Sequence, residues 1–221
     1  MMSVLCADLG NTRTHLALFP PGRMISNWPR KAQAVAYCSV APSRERAFER
    51  ECRRRLGLRA LKLGRDLPIP VRVAKRWKAG ADRLCNALAA YARAQRACVV
   101  VDLGTAITIE AVSARGDLAG GLIAPGARLM AEALAGRTEL LPRIEFKKIL
   151  IGRDTAGNIR AGIDAAIEGL IDEGVRRARK LVGRRAPVFG TGGDAPKFAR
   201  KFDVVDPLLT LRGVFLSYAL R

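Results

Sequence analysis

Two short runs, ninety-four residues apart, carry the same chemical groups in the same order: Asp8-Leu9-Gly10-Asn11-Thr12 and Asp102-Leu103-Gly104-Thr105-Ala106. Each sets a carboxylate at the end of an apolar run, then a glycine, then amide or hydroxyl side chains. Thr14 and Thr108 repeat at the same offset. A glycine lets backbone N–H groups approach a ligand closely, and the polar side chains add donors, so such a turn suits phosphate oxygens. The carboxylates would repel phosphate unless a cation, here a hydrated Mg²⁺, stands between them. The plain alternative is a pair of hairpins whose aspartates only cap their turns. Thr191-Gly192-Gly193-Asp194, directly after Val188 and Phe189, is a third glycine signal. It leaves room for a flat base or sugar against the backbone, or serves as an ordinary connection. Neither the Gly-x-x-x-x-Gly-Lys-Ser/Thr loop nor the Gly-x-Gly-x-x-Gly fingerprint is present.

A fourth candidate is Asp82-Arg83 at the start of an apolar-periodic segment. A carboxylate in a first helical turn is favoured in its ionised form. It can accept the proton of an alcohol as a new P–O bond forms. Otherwise it is a helix cap beside Arg83, whose guanidinium could orient a carboxylate through two parallel contacts. His15, the one histidine, falls where the chain leaves the first turn and reads as a partly buried structural residue rather than a base.

The elements that must position these groups alternate between strand and helix. Ser3 to Phe19 reads as strand, polar turn and strand, and Ala34 to Val40 as a further strand. Ser43 to Leu56 reads as a helix capped by Ser43, with Phe48, Cys52 and Leu56 on its apolar side. Leu61 to Val73, broken by Gly64, Pro68 and Pro70, reads as irregular or extended chain. Leu84, Cys85, Leu88, Ala89 and Ala92 recur at helical spacing. Ala97 to Asp102, Ala106 to Val112 and Leu118 to Ile123 follow as strands. Helices are expected over Ala127 to Leu134, Asp164 to Leu181 and Leu208 to Leu220, with a short strand at Pro187 to Gly190. Alternation of this kind predicts an α/β protein. The repeated turn predicts two lobes, residues 1–95 and 96–221, with a cleft between them.

With 221 residues, 49% hydrophobic and 27% charged, the chain can bury a substantial core. The extreme value is a formal charge of +19, from 39 Lys and Arg against 20 Asp and Glu. Arg44 to Arg65 and Arg176-Arg177-Ala178-Arg179-Lys180, continued by Arg184-Arg185, carry much of it. These runs lack interleaved aromatics and zinc-finger spacing, so no nucleic-acid partner is expected. A solvated Arg-rich surface with some attraction for phosphorylated ligands is the simpler reading. Five scattered cysteines without a Cys-x-x-Cys pair argue for small buried thiols and against zinc. No long uncharged apolar segment or secretory leader pattern is seen, which predicts a cytoplasmic protein without a membrane partner.

Taken together the motifs resemble the type III pantothenate kinases, within the superfamily of acetate and sugar kinases, Hsp70 and actin. The resemblance rests on Asp8-Leu9-Gly10-Asn11-Thr12, Gly80-Ala81-Asp82-Arg83 with Asn86, Ala87 and Ala90, and Asp102-Leu103-Gly104-Thr105-Ala106. It continues through Gly120 to Gly126, Ile151-Gly152-Arg153-Asp154-Thr155, Thr191-Gly192-Gly193, and Val205 to Gly213. The ordered set covers nearly the whole chain. It implies two ribonuclease-H-like lobes and ATP-dependent phosphorylation of pantothenate, the first step of coenzyme A synthesis. It also implies Mg²⁺, a monovalent cation (K⁺ or NH₄⁺) and a homodimer. By the same resemblance Asp8, Leu9, Gly10, Asn11, Thr12, Arg13, Thr14 and His15 bind ATP phosphates, with Asp8 reaching Mg²⁺ through water. Thr105, Gly192 and Gly193 contact ATP, and Asp102 holds the monovalent cation. Gly80, Ala81, Asp82, Arg83 and Thr155 contact pantothenate, with Asp82 as general base.

The chain departs from that pattern at several points. Val73 stands nine residues before Asp82, where the family commonly has a Tyr, and Val73-Ala74-Lys75-Arg76-Trp77 replaces a Tyr-x-x-Pro lead-in. Trp77 could supply the missing flat surface. Ile107 replaces a usual Thr, Glu110 a usual Asp, and Asp154 stands where Asn is frequent. The chain is also shorter than typical members, mostly between Phe19 and Leu61. Two other functions therefore stay open: a related kinase acting on another small alcohol, and an inactive nucleotide- or nucleic-acid-binding regulator.

Overall fold

A computed structural model describes residues 3–20, 22–73 and 78–221. Its described residues form two compact units. The first comprises Met1–Arg96, Val112–Ala119 and Leu208–Arg221, the second Ala97–Ala111 and Gly120–Pro207.

The first sheet is built from β1 (Val4–Leu9), β2 (Thr14–Phe19), β3 (Arg23–Ile25), β4 (Ala34–Ser39) and β5 (Ala60–Lys62), in the order β3-β2-β1-β4-β5. β1 pairs antiparallel with β2 and parallel with β4. Side chains alternate across a strand, so β1 serves two cores. Leu5, Ala7 and Leu9 pack with Phe48 and Cys52 of α1 (Pro42–Leu56). Val4 and Cys6 pack on the other side with Cys85 of α2 (Ala81–Ala94) and with Leu211 and Val214 of α5 (Leu209–Ala219). Asp8 shares this second side by register.

The second sheet contains β6 (Cys98–Leu103), β7 (Ala106–Val112), β8 (Leu118–Pro125), β9 (Val188–Thr191) and β10 (Val204–Val205), in the order β10-β9-β6-β7-β8. Numbered by appearance within its own sheet, each runs third, second, first, fourth, fifth. The match extends to burial, since β1 and β6 share one pattern in which only the aspartate is half-exposed. Val99, Val101, Leu103, Ile107 and Ile109 pack against α4 (Thr155–Val182), which presents Ile159, Ile163, Ile167 and Ile171 at helical spacing. Between β8 and α4 lies α3 (Ala127–Arg137), and a 3-10 helix over Ala195–Lys201 follows β9. This is the expected α/β class, with the mixed first sheet and the second built on one strand order.

Some expectations need correction. Ser43 does not cap α1. Pro42 occupies its first turn, where its fixed φ and missing N–H cost nothing, and the cap position falls on Ala41 without a side-chain bond. Helix α4 begins at Thr155, nine residues before the expected start at Asp164. Its first turns contain Gly157, Asn158 and Gly162, poor helix formers, but Asp154 offsets this by accepting the Gly157 N–H at 2.6 Å. The stretch from Leu61 to Val73, read as irregular or extended, is extended at its start, where Leu61 and Lys62 belong to β5, paired parallel to β4.

Candidate active site

In the first unit the turn after β1 is closed by Gly10 N–H donating to the Arg13 carbonyl at 3.0 Å. The side chains of Asn11, Thr12, Arg13, Thr14 and His15 are all exposed, while Asp8 behind them is half-buried. An amide, hydroxyls and a guanidinium are thus presented to solvent around one inner carboxylate. His15 keeps 46% of its side chain exposed, with Nδ1 3.9 Å from Asp8 Oδ2. Desolvation, then the Arg13 charge, lowers its pKa, which favours the neutral imidazole. His15 is thus partly buried, as expected, with close to half of its side chain at the surface.

Asp8 lies at the carboxyl end of β1, opposite Cys38 of β4 in the parallel register. Cys38 Sγ donates to Asp8 Oδ1 at 3.4 Å. The Cys38 thiol is also within the electrostatic reach of Asp82, and a hydrogen bond with Cys85 and burial push its pKa up. One buried thiol thus bonds Asp8 and feels the charge of Asp82. Asp82 sits in the first turn of α2, its Oδ1 accepting the Arg83 N–H at 2.8 Å. Burial raises its pKa against the opposing pull of that N–H and of the Arg83 charge. A proton acceptor with a raised pKa is the stronger base, provided it stays ionised at working pH. Gly80 leaves space for this carboxylate, because a Cβ there would fall 2.5 Å from Asp82 Oδ1. Ala81 is half-buried and Arg83 is only 8% exposed.

In the second unit the parallel register sets Asp102 of β6 opposite Thr191 of β9. Gly192 turns back over the β6 end with φ +87°, and a Cβ there would meet Asp102 Oδ1 at 2.5 Å and the Leu103 backbone at 2.6 Å. Asp194 N–H then donates to the Leu103 carbonyl at 3.0 Å. Asp102 and Gly192 thereby meet at the carboxyl-end edge of the sheet, a close approach that only glycine permits, and Gly193 follows in open space. Thr105 is half-buried in the β6–β7 turn, its carbonyl accepting the Gly126 N–H at 3.0 Å. Thr155 stands exposed at the first position of α4.

The pairs Asp8–Cys38 and Asp102–Thr191 are equivalent positions of the two sheets, and sequence reading singled out neither Cys38 nor the role of Thr191. The signal was available in the repeat: if Asp8 matches Asp102, the fourth strand of each sheet must end beside it. Val73 is half-buried and bridges Leu118, whose N–H donates to the Arg72 carbonyl at 2.9 Å. Trp77 lies outside the described residues. Glu110 is fully buried. Among the described residues no three His, Cys, Asp or Glu side chains converge as a metal cluster. Lone carboxylates such as Asp8 still suit Mg²⁺, which keeps several waters and takes its other ligands from phosphates.

Residues 26–177 match the family model described as type III pantothenate kinase. The type III pantothenate kinase of Dehalococcoides mccartyi is 32% identical over 249 residues, covering 97% of this chain and 96% of that protein. Type III pantothenate kinase 1 of Symbiobacterium thermophilum is 36% identical over 258 residues, covering 98% and 96%. Among solved structures, a Campylobacter jejuni protein assigned to the Baf family of transcriptional activators superposes with a TM-score of 0.64. It is 20% identical and covers 98% of both chains, a likeness of fold. Matched over residues 26–177 by the family model, and along nearly its whole length by relatives of 32% and 36% identity, this chain belongs to the type III pantothenate kinase family.

Proposed function

We propose that the chain transfers the γ-phosphoryl group of ATP to the primary hydroxyl of pantothenate, giving 4′-phosphopantothenate and ADP, the first step of coenzyme A synthesis. The observation that carries this reading is Asp82, a carboxylate of raised pKa in the first turn of α2, in a chain of this family. The hydroxyl oxygen attacks the γ-phosphorus, the bond to the β–γ bridging oxygen breaks, and Asp82 accepts the hydroxyl proton. The exposed turn Asp8 to His15 supplies donors to phosphate oxygens, and Asp8 reaches Mg²⁺ through water. Mg²⁺, when bound, offsets phosphate charge. Asp102 holds K⁺ or NH₄⁺ beside the Gly192–Gly193 edge, and Thr105 and those glycines contact the nucleotide. Gly80 to Arg83 and Thr155 take the acceptor.

The partner in assembly is a second copy of the chain. Supporting this is the apolar segment before α4, where Leu140, Leu150 and Ile151 are 90%, 96% and 75% exposed, together with Ile123 of β8 at 65%. No helix among the described residues is long and apolar enough to cross a membrane, and an ATP-supplied cytoplasm is the compartment that fits.

A second reading, a kinase for another small alcohol, is favoured by Val73: an aliphatic side chain engaged with Leu118 stands where the family commonly has a Tyr. One assay separates the two. ADP release is followed with ATP and a panel of primary alcohols, and preferential turnover of pantothenate supports the first reading. Turnover of pantothenate no faster than of unrelated alcohols overturns it.

A further inference from the structure

We propose that the second unit carries a second anion site, at the end of its sheet away from Gly192, for a small ligand bearing a chain of phosphates. A cavity of about 610 Å³ opens between the C-terminal half of α4, the loop into β9 and the end of the 3-10 helix. Its size is that of small-molecule sites in general.

The cavity is two-faced. Ile171, Val175, Val188 and Phe202 give it an apolar side. Around them stand Arg176, Arg179, Lys180, Arg184, Arg200 and Lys201, against only Asp172 and Asp203, an excess of four positive charges. Part of this charge is spent internally. Arg176 binds Glu173 at 2.6 Å, and Lys201 binds Asp172 at 2.7 Å. Asp203 is engaged by the Val188 N–H at 2.7 Å and by Arg179 at 3.6 Å. Lys180, Arg184 and Arg200 have no carboxylate within salt-bridge distance among the described residues.

The wall is also preorganised. Arg179 donates from Nε to the Ala186 carbonyl at 3.0 Å, which fixes its guanidinium at the rim. A concave basic site with low-dielectric walls concentrates anions, and guanidinium groups bind phosphate oxygens in pairs. Several cations around one cavity match several linked phosphates better than one. The apolar side would take a flat or aliphatic moiety attached to them.

The site is separate from the nucleotide edge already described. Val188 opens β9 and Gly192 follows its last residue, so the two ends lie roughly 10 Å or more apart along the strand. An extended nucleic acid is the poorer match, because the cations ring a hollow instead of tracking a stripe, and Phe202 is the single aromatic among the lining residues.

The test is calorimetric titration of inorganic tripolyphosphate into the full chain and into Lys180→Ala/Arg184→Ala/Arg200→Ala. All three side chains are exposed, so the variant should fold as the parent does. The parent should bind one more tripolyphosphate per chain than the variant, or bind the same number with the second at least tenfold weaker in the variant. The KM for ATP and kcat should be the same in both. Superimposable isotherms overturn the proposal, as does a variant whose ATP KM rises with the loss, since that would assign these cations to the nucleotide site. Binding of a single-stranded oligonucleotide with no binding of tripolyphosphate also overturns it. The binding readout stands even if the enzyme takes another acceptor.

Discussion

Asp82, the proposed base, owes its raised proton affinity and its cost to one cause. Burial holds its pKa above the ordinary aspartate value, so the folded chain favours the protonated form more than the unfolded chain does. The stability linked to that proton is fully present below the unfolded pKa and is lost as pH rises through the folded one. At neutral pH the ionised carboxylate therefore weighs against folding. Asp82→Asn should lower kcat by roughly a hundred- to ten-thousand-fold, the range for removal of a general base. Its melting temperature at pH 7.5 should be no lower than the parent's, with the difference shrinking below about pH 4. The parent's kcat/KM should fall on the acid side with an apparent pKa above the ordinary aspartate value. Near-normal turnover of the variant, or a lower melting temperature, would contradict the assignment. Asp102 is tested independently. If it holds the monovalent cation, Asp102→Ala should abolish activation by K⁺ and NH₄⁺, read as kcat/KM against salt at constant ionic strength. An unchanged K⁺ dependence would remove it from that role.

At the scale of elements, the final motif around Thr210 and Gly213 works through packing. Thr210 Oγ1 donates to Asn86 Oδ1 at 2.8 Å, joining α5 to α2, and Gly213 lies against the Cys85 backbone. A Cβ at Gly213 would fall 2.1 Å from the Cys85 carbonyl oxygen, with backbone that cannot step aside. Gly213→Ala should therefore destabilise by about 3 kcal/mol or more, an overpacking cost. Chemical denaturation measures it, and an unaltered midpoint would show that the two helices separate cheaply. This motif was legible as a match but not as a contact, since nothing local in the sequence pairs residues 86 and 210. Strands and their turns were legible because continuous apolar runs broken by Asp-Leu-Gly state both the element and its end. The start of α4 was not: Gly157 and Gly162 hide it, and the cap that rescues it is one Asp154 side chain. The neighbours of the two aspartates were readable only through the repeat, because parallel pairing of β1 with β4 and of β6 with β9 joins residues about thirty and ninety apart.

For the molecule as a whole, the high positive charge and the exposed apolar segment pull in different directions. A formal charge of +19 sets copies of the chain against one another in solution, most strongly at low salt. Leu140, Leu150, Ile151 and Ile123 favour association, since burying one large aliphatic side chain contributes about 1.5–3 kcal/mol. In a two-fold interface every such residue counts twice, so each one recruited adds its apolar gain from both copies. The proposed homodimer should then persist at physiological salt and weaken as ionic strength is lowered. The same symmetry doubles the damage of a substitution. Leu140→Asp/Leu150→Asp places four carboxylates, two per copy, where aliphatic groups would meet, without touching a packed core, because both positions are almost fully exposed within the chain. Sedimentation should give twice the 23.9 kDa chain mass for the parent and the single chain mass for the double variant, with matching circular dichroism. A parent that sediments as a single chain, or a double variant that stays dimeric, would move the interface off this segment.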